Sequence, residues 1–462
     1  MTSKTTRPAA QTEDLGSRAG EEVVLDVGPV AHGGHCVARH DGRVIFVRHA
    51  IPGEKVKARL TDAGESAKFW RADVVAVLDA SPDRVEHFWR LADSRRAWEH
   101  GHPPVGGAEF GHIALPRQRE LKAAVLAEQL SRLAGVELPL AGWSGTVEAV
   151  DNADDGGPGL GWRTRASFSV TKGGKLGMHA HRSHHIVAVR EMPLALDAIN
   201  ALQLWDIDLQ GIDRVEVAAP ANGSRVLVLL VPSAGTTPKR LAGVAAQLPA
   251  DVSVAALDPE TGEVQQLRGR AWVQESAAGH DYRVSGAGFW QIHRHAPATL
   301  TGAVRDFLQG GGFLAPGSSV ADLYAGAGLF TAVLADEVGE SGSVLSVEGA
   351  PGTSRDARKN LHAAPQVEIV QGRVERVLRE KPRSLDAIVL DPPRAGAGKT
   401  VVGQLVAAQP RGIAYVSCDP ASFARDLGYF HQAGWDVTGL RAFDLYPHTH
   451  HLETVALLTP RS

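Results

Sequence analysis

From Ser285 onward apolar strands alternate strictly with helical stretches, and this alternation constrains the fold more than any other feature. SSVADLY (318–324), SVLSVEG (343–349), VEIVQG (367–372), LDAIVLD (385–391), GIAYVSC (412–418) and WDVTGL (435–440) read as strands. Strands separated by helix-length connections pair in parallel, because only a crossover returns the chain to the same edge. The expected C-terminal part is therefore a doubly wound α/β domain, residues 281–462.

The front of the chain has another texture. Between Glu21 and Asp79, short Val-rich runs are separated by turn signals at Gly33-Gly34, Asp41-Gly42 and Pro52-Gly53, which predicts a small antiparallel barrel over 21–80. The polar leader, residues 1–20, reads as disordered and lacks the apolar stretch of an export signal. Leu121, Val125, Leu126, Leu130 and Leu133 have helical spacing, and an acidic, Gly-rich break follows at Asp151 to Gly161. The remainder of residues 81–280 mixes strand-like runs with a helical stretch around Leu194 to Leu204, as in an α+β middle domain. Three such parts suit 462 residues at about 150 per domain.

Charge and cysteine content narrow the class. The net charge is −4, so the whole chain does not advertise a polyanionic partner. Arg39 to Arg71, however, carries eight Lys or Arg against four acids, and Gly161 to His185 carries five basic residues and no acid. No apolar stretch reaches bilayer length, which argues against a membrane partner. Two distant cysteines, Cys36 and Cys418, offer no disulfide framework and suit the cytoplasm.

The strand ends of the last part carry the chemistry. Asp322-Leu-Tyr-Ala-Gly-Ala-Gly328 closes a strand and opens a helix, and Glu348 ends the next strand, where a carboxylate can accept both hydroxyls of a ribose. Thr331 replaces the third glycine of the dinucleotide fingerprint, which favours a ribose-containing cofactor without a pyrophosphate, S-adenosylmethionine above all. Asp391, rigidified by Pro392-Pro393, ends a later strand, and Cys418 ends the one after it. Asp419-Pro420 reads as the cap and first turn of a helix, whose N-terminus would lower the thiol pKa. Near the end, alternation puts His451 and Glu453 on one face. This spacing suits a general base with a histidine neighbour better than a metal site, and no metal ligand set is expected.

Together these motifs resemble the S-adenosylmethionine-dependent RNA 5-methyluridine methyltransferase family. GFWQ (288–291), DLYAGAGLFT (322–331), VEG (347–349), DPPRAG (391–396), SCDP (417–420) and HHLETV (450–455) arrive in family order, and 21–79 is similar to the OB-like RNA-binding barrel called TRAM. The resemblance implies a class I (Rossmann-like) methyltransferase domain, with Gln291, Tyr324, Glu348 and Asp391 at the cofactor, Cys418 as nucleophile and Glu453 as base. It implies a tRNA or rRNA substrate, and no obligate protein partner is evident. Many members bind an iron-sulfur cluster through four cysteines. Here Glu99, Val105, Ala108 and Met192 take those places, so no cluster is expected. The alternatives are an adenine or cytosine RNA methyltransferase, or a non-catalytic RNA-binding protein.

Overall fold

The computed structural model describes residues 17–136, 140, 142–150, 158–381 and 383–461. Most of the expected leader and residues 151–157 of the acidic break lie outside the described residues. The leader's last residues depart from the expected disorder: the Arg18 amide donates to the Ala63 carbonyl at 3.0 Å, and the Gly20 amide to the Leu60 carbonyl at 2.8 Å.

The barrel is a five-stranded sheet in the order Glu22–Asp26, Lys55–Asp62, Phe69–Asp79, Arg43–Arg48, Cys36–His40. It curls until the Gly28 amide reaches the Val37 carbonyl at 2.8 Å. One pair departs from the antiparallel expectation, since Arg43–Arg48 runs parallel to Phe69–Asp79. Ile45, Val47, Val56, Ala58, Ala72 and Val74 fill the interior, as the period-2 pattern requires. Several barrel cations turn out to be structural. Arg48 is buried and grips Asp73 through two bonds of 2.8 Å, while Arg43 lies over the Trp70 ring at 4.6 Å.

In the middle region a seven-stranded mixed sheet contains the parallel pair Leu227–Pro232 and Ser253–Leu257, joined through the helix Pro238–Gln247. The helix expected around Leu194 to Leu204 is only two short turns, Asp197–Asn200 and Leu204–Asp206. Val105, Ala108 and Met192, at three of the positions compared with cluster ligands, are buried in one apolar cluster with Trp89 and Leu194. Glu99 is exposed at the end of the helix Ser94–Glu99. Hydrocarbon packing thus fills this region.

The C-terminal sheet has eight strands in the order Val367–Gln371, Ser343–Glu348, Ser319–Leu323, Ala387–Leu390, Gly412–Ser417, Glu453–Pro460, Trp435–Asp444, Glu148–Ala149. The first five are parallel, and Glu453–Pro460 enters antiparallel between the fifth strand and Trp435–Asp444. Chain order reverses between Ser319–Leu323 and Ala387–Leu390, the switch point at which open α/β sheets leave a ligand crevice. No helix among the described residues is long and apolar enough to cross a membrane.

The helix Leu115–Gln129 is wedged between barrel and C-terminal sheet. Leu121 and Val125 enter the barrel core, whereas Ala123 and Leu126 enter the core of the C-terminal sheet. The fully buried Lys122 bonds Asp444 at 2.5 Å and the Tyr446 carbonyl at 3.0 Å. Removing one partner of such a pair strands the other charge out of water, at about 3–5 kcal/mol, whereas an apolar pair of similar volume can be neutral. Lys122→Ala should therefore destabilise strongly in denaturant melts, and Lys122→Met with Asp444→Leu should recover most of the loss. A double variant as unstable as the single one would show that the charge itself is not the cause.

Candidate active site

The switch-point crevice begins at Tyr324, which follows the strand Ser319–Leu323 with φ +64°, a left-handed conformation that costs about 1–2 kcal/mol for a non-glycine residue. Glu348, at the end of the neighbouring strand, accepts the Gly326 amide at 2.9 Å and the Ala350 amide at 2.6 Å. These bonds fix the carboxylate and leave it further acceptor capacity. A Cβ at Gly326 would meet no heavy atom within 4 Å, so the backbone there borders open space. Asp322 is fully buried. One of its oxygens takes the Thr331 hydroxyl at 2.5 Å, and the other, Oδ1, has no partner. Thr331, noted in the sequence only as a missing glycine, thus holds the acid. Gln291 is buried beside Trp290, while Phe289 is 62% exposed. An anchored carboxylate, an orphaned buried oxygen and an open glycine backbone suit a nucleoside with hydroxyl and amino groups to donate.

Strand pairing brings the other residues together. Leu390 pairs with Tyr415, so Asp391 and Cys418 leave neighbouring strands at the same end. Ser417 pairs with Thr454 in the antiparallel register, so the next pair is Cys418 and Glu453. The loop after Asp391 is pinned by the buried Asp426, which accepts the Ala397 amide at 2.7 Å and the Tyr415 hydroxyl at 2.8 Å. Glu453 is 3% exposed and accepts the Tyr446 hydroxyl at 2.9 Å on Oε2. His451 lies before the strand rather than in it and reaches the site through its ring contact with Tyr446 at 5.9 Å. Asp322 opens the motif at 322–331 but had no role assigned from the sequence, and Tyr446 lay in no motif. Tyr446 could have been found only from its place on the turn before Glu453.

Electrostatics correct one expectation. The Cys418 thiol is not activated in this state: burial and the carboxylates of Glu453 and Asp391 push it up to about 12, against the pull of Arg394. The helix Pro420–Gln432 begins there as expected, but Asp419 caps it by accepting the Ser422 amide at 2.8 Å, so the capping charge offsets the helix field at the thiol. Burial, followed by Asp391, raises Glu453 to about 8. Burial, followed by Asp322, raises Asp391 to about 7. Among the described residues no group of three or more His, Cys, Asp or Glu is placed to hold a metal ion.

The barrel closes one side of the site. His32, on the loop before Cys36–His40, meets the second Asp419 oxygen at 3.1 Å. A cavity of 190 Å³ lies behind this contact, bounded by His32, Gly34, Phe110, Arg394, Asp419 and His450. The histidines around His179 to His185 are distant from the thiol in role: His179, His184 and His185 are exposed, and His181 packs at 6.1 Å from His35.

Residues 372–461 match the family described as tRNA (Uracil-5-)-methyltransferase, and residues 16–75 match the TRAM domain. An uncharacterized RNA methyltransferase of Streptomyces avermitilis is 45% identical over 96% of this chain and 99% of its own. The 23S rRNA (uracil(1939)-C(5))-methyltransferase RlmD of Alkalilimnicola ehrlichii is 30% identical over 93% of this chain and 94% of its own. The chain belongs to the RNA uracil-C5 methyltransferase family. Its fold is also that of the Pyrococcus abyssi tRNA (uracil-54, C5)-methyltransferase solved with S-adenosyl-L-homocysteine, with a TM-score of 0.67 at 22% identity, covering 94% of this chain and 99% of that one.

Burial of these acids has a measurable consequence. The Glu453 proton is held up to about pH 8 in the folded protein but leaves near 4.5 in an unfolded chain. Its ionisation penalty is thus absent below about pH 4.5, grows as pH rises, and is complete above about 8. Glu453→Gln should leave the melting temperature nearly unchanged at pH 5 and raise it by about 2–6 °C at pH 9. An equal shift at both pH values would show that Glu453 does not carry this penalty.

Proposed function

We propose that the protein transfers a methyl group from S-adenosylmethionine to C5 of a uridine in tRNA or rRNA. The observation that carries this reading is the adjacency of Cys418, Glu453 and Asp391, which strand register alone enforces. The described crevice fits the cofactor, with Glu348 for the ribose and Gln291, Tyr324 and Asp391 around the remainder. When bound, the cofactor supplies an electrophilic methyl group on a sulfonium cation. A positive charge beside Glu453, Asp391 and Cys418 favours the ionised form of each, so activation of the thiol would follow cofactor occupancy.

The chemistry needs both a nucleophile and a base. C5 of uracil is poorly nucleophilic until the Cys418 sulfur adds to C6 and converts C5 into an enolate carbon that can take the methyl group. Glu453 then removes the C5 proton, and the electrons of that bond re-form the C5–C6 double bond as the thiolate leaves. Residues 21–80 would bind RNA, 81–280 would help recognise it, and 281–462 would carry the reaction. Because bases in RNA are stacked, the uridine must be splayed into the crevice. A reducing cytoplasm suits a mechanism that depends on a free thiol.

RNA carrying 5-fluorouridine at the target tests this mechanism, since fluorine does not leave as a proton. Wild-type protein should form a denaturation-resistant RNA adduct that depends on S-adenosylmethionine. Cys418→Ala should lose adduct and product but retain cofactor binding, and Glu453→Gln should accumulate adduct even on ordinary uridine. Full activity of Cys418→Ala, or a methyl group found on an adenine nitrogen, would favour an amino-methyltransferase instead.

A further inference from the structure

Tyr446 is the group in contact with the base whose role neither motif nor fold assigns. Its hydroxyl donates to Oε2 of the buried Glu453 at 2.9 Å from a side chain that is itself half-buried. The ring makes edge contacts with two others, Trp162 at 6.0 Å and His451 at 5.9 Å. Its backbone is equally fixed: the Tyr446 carbonyl takes the Lys122 ammonium at 3.0 Å and the Thr449 hydroxyl at 2.9 Å. A phenylalanine would fill the same space, so packing leaves the hydroxyl unexplained. What the hydroxyl adds is a directed hydrogen bond to one oxygen of a buried carboxylate.

We propose that Tyr446 is a positioning residue for the C5-proton base: it ties down Oε2 of Glu453 and so makes Oε1 the oxygen that takes the proton. This rests on the assignment of Glu453 as base. A carboxylate among other acids needs such a donor. Facing Glu453 and Tyr446 are Asp391 and Arg394 from one loop, Cys418 from the adjacent strand end, His451 from the preceding turn and Arg163 from the segment before the strand Arg165–Val170. Burial, followed by Asp391, raises the Glu453 pKa, while the Tyr446 bond and then Arg394 lower it. A neutral donor on Oε2 favours the ionised form against the surrounding acids and leaves Oε1 unbonded to face C5.

The test separates adduct formation from adduct breakdown. In single-turnover reactions on ordinary uridine RNA, Tyr446→Phe should form the methylated covalent adduct within about twofold of the wild-type rate. Its breakdown should slow roughly threefold to tenfold at pH 7, and the midpoint of the breakdown–pH curve should rise by about one unit, since a lost bond to the ionised form raises a carboxylate pKa. 3-Fluorotyrosine at position 446, a stronger donor of similar shape, should shift the midpoint the other way and serves if Tyr446→Phe fails to fold. Equal slowing of formation and breakdown, or an unmoved midpoint, would reduce Tyr446 to packing. Glu453→Gln run in parallel keeps the outcomes distinct. If that variant fails to trap adduct, the assignment of the base is wrong. If it traps adduct while the Tyr446 variants leave the midpoint in place, only the present inference fails.

Discussion

An ammonium group held out of water at the meeting of two cores fixes more of this molecule than any apolar contact. A one-residue slide of the helix Leu115–Gln129 would move Lys122 by about 1.5 Å along its axis and turn it away from Asp444, leaving two buried charges unpaired. The helix register is therefore set against the C-terminal sheet. One turn earlier, Gln118 accepts the His448 amide at 2.7 Å and meets that ring at 3.1 Å. Glu109 takes the His450 amide at 3.0 Å. The turn that carries Tyr446 to Glu453 thus owes its shape to residues more than three hundred positions earlier in the chain.

The crevice is crowded with acids whose partners are mostly hydroxyls and amides. Asp322 has Thr331, Glu453 has Tyr446, and Asp322 Oδ1 has nothing. Burying carboxylates this way costs folding stability unless a positive charge arrives. On the proposed function, that charge is a sulfonium. Unlike an arginine or lysine, it donates no hydrogen bond, so it offsets the acidic field without capping the oxygens that must later accept a proton. The same reasoning accounts for the raised pKa of the Cys418 thiol.

Much of this arrangement was legible in the sequence because a doubly wound sheet converts chain order into position. Each of the six strands read from apolar runs is present, and their carboxyl ends hold Tyr324, Glu348, Asp391 and Cys418 on one rim. The barrel strand Cys36–His40 has no apolar run to mark it, because Ala, Arg and His carry little strand signal. The middle sheet was harder still. Leu176–His179 and Val264–Arg268 are short or polar, and the short turns near Leu194 obey local packing rather than helical periodicity. The thiol's pKa departs from the sequence expectation for a related reason: a helix terminus is visible in sequence, but the acids converging on it from other strands are not.

Charge counting had the same weakness in the barrel. The excess of cations between Arg39 and Arg71 suggests a surface for RNA, yet Arg48 is spent on Asp73, Arg71 on Asp62, and Lys57 on Glu22. The exposed Arg39 and Lys68 remain as candidates for phosphate contacts. The barrel's nearer link to the chemistry is His32. Burial opposes ionisation of Asp419, but the bond from His32 and the Ser422 amide hold its carboxyl down at about 2. That carboxylate caps the helix that follows Cys418, so a displaced barrel loop would disturb the cap beside the thiol. The barrel is therefore a wall of the crevice that holds Cys418 as well as a separate sheet.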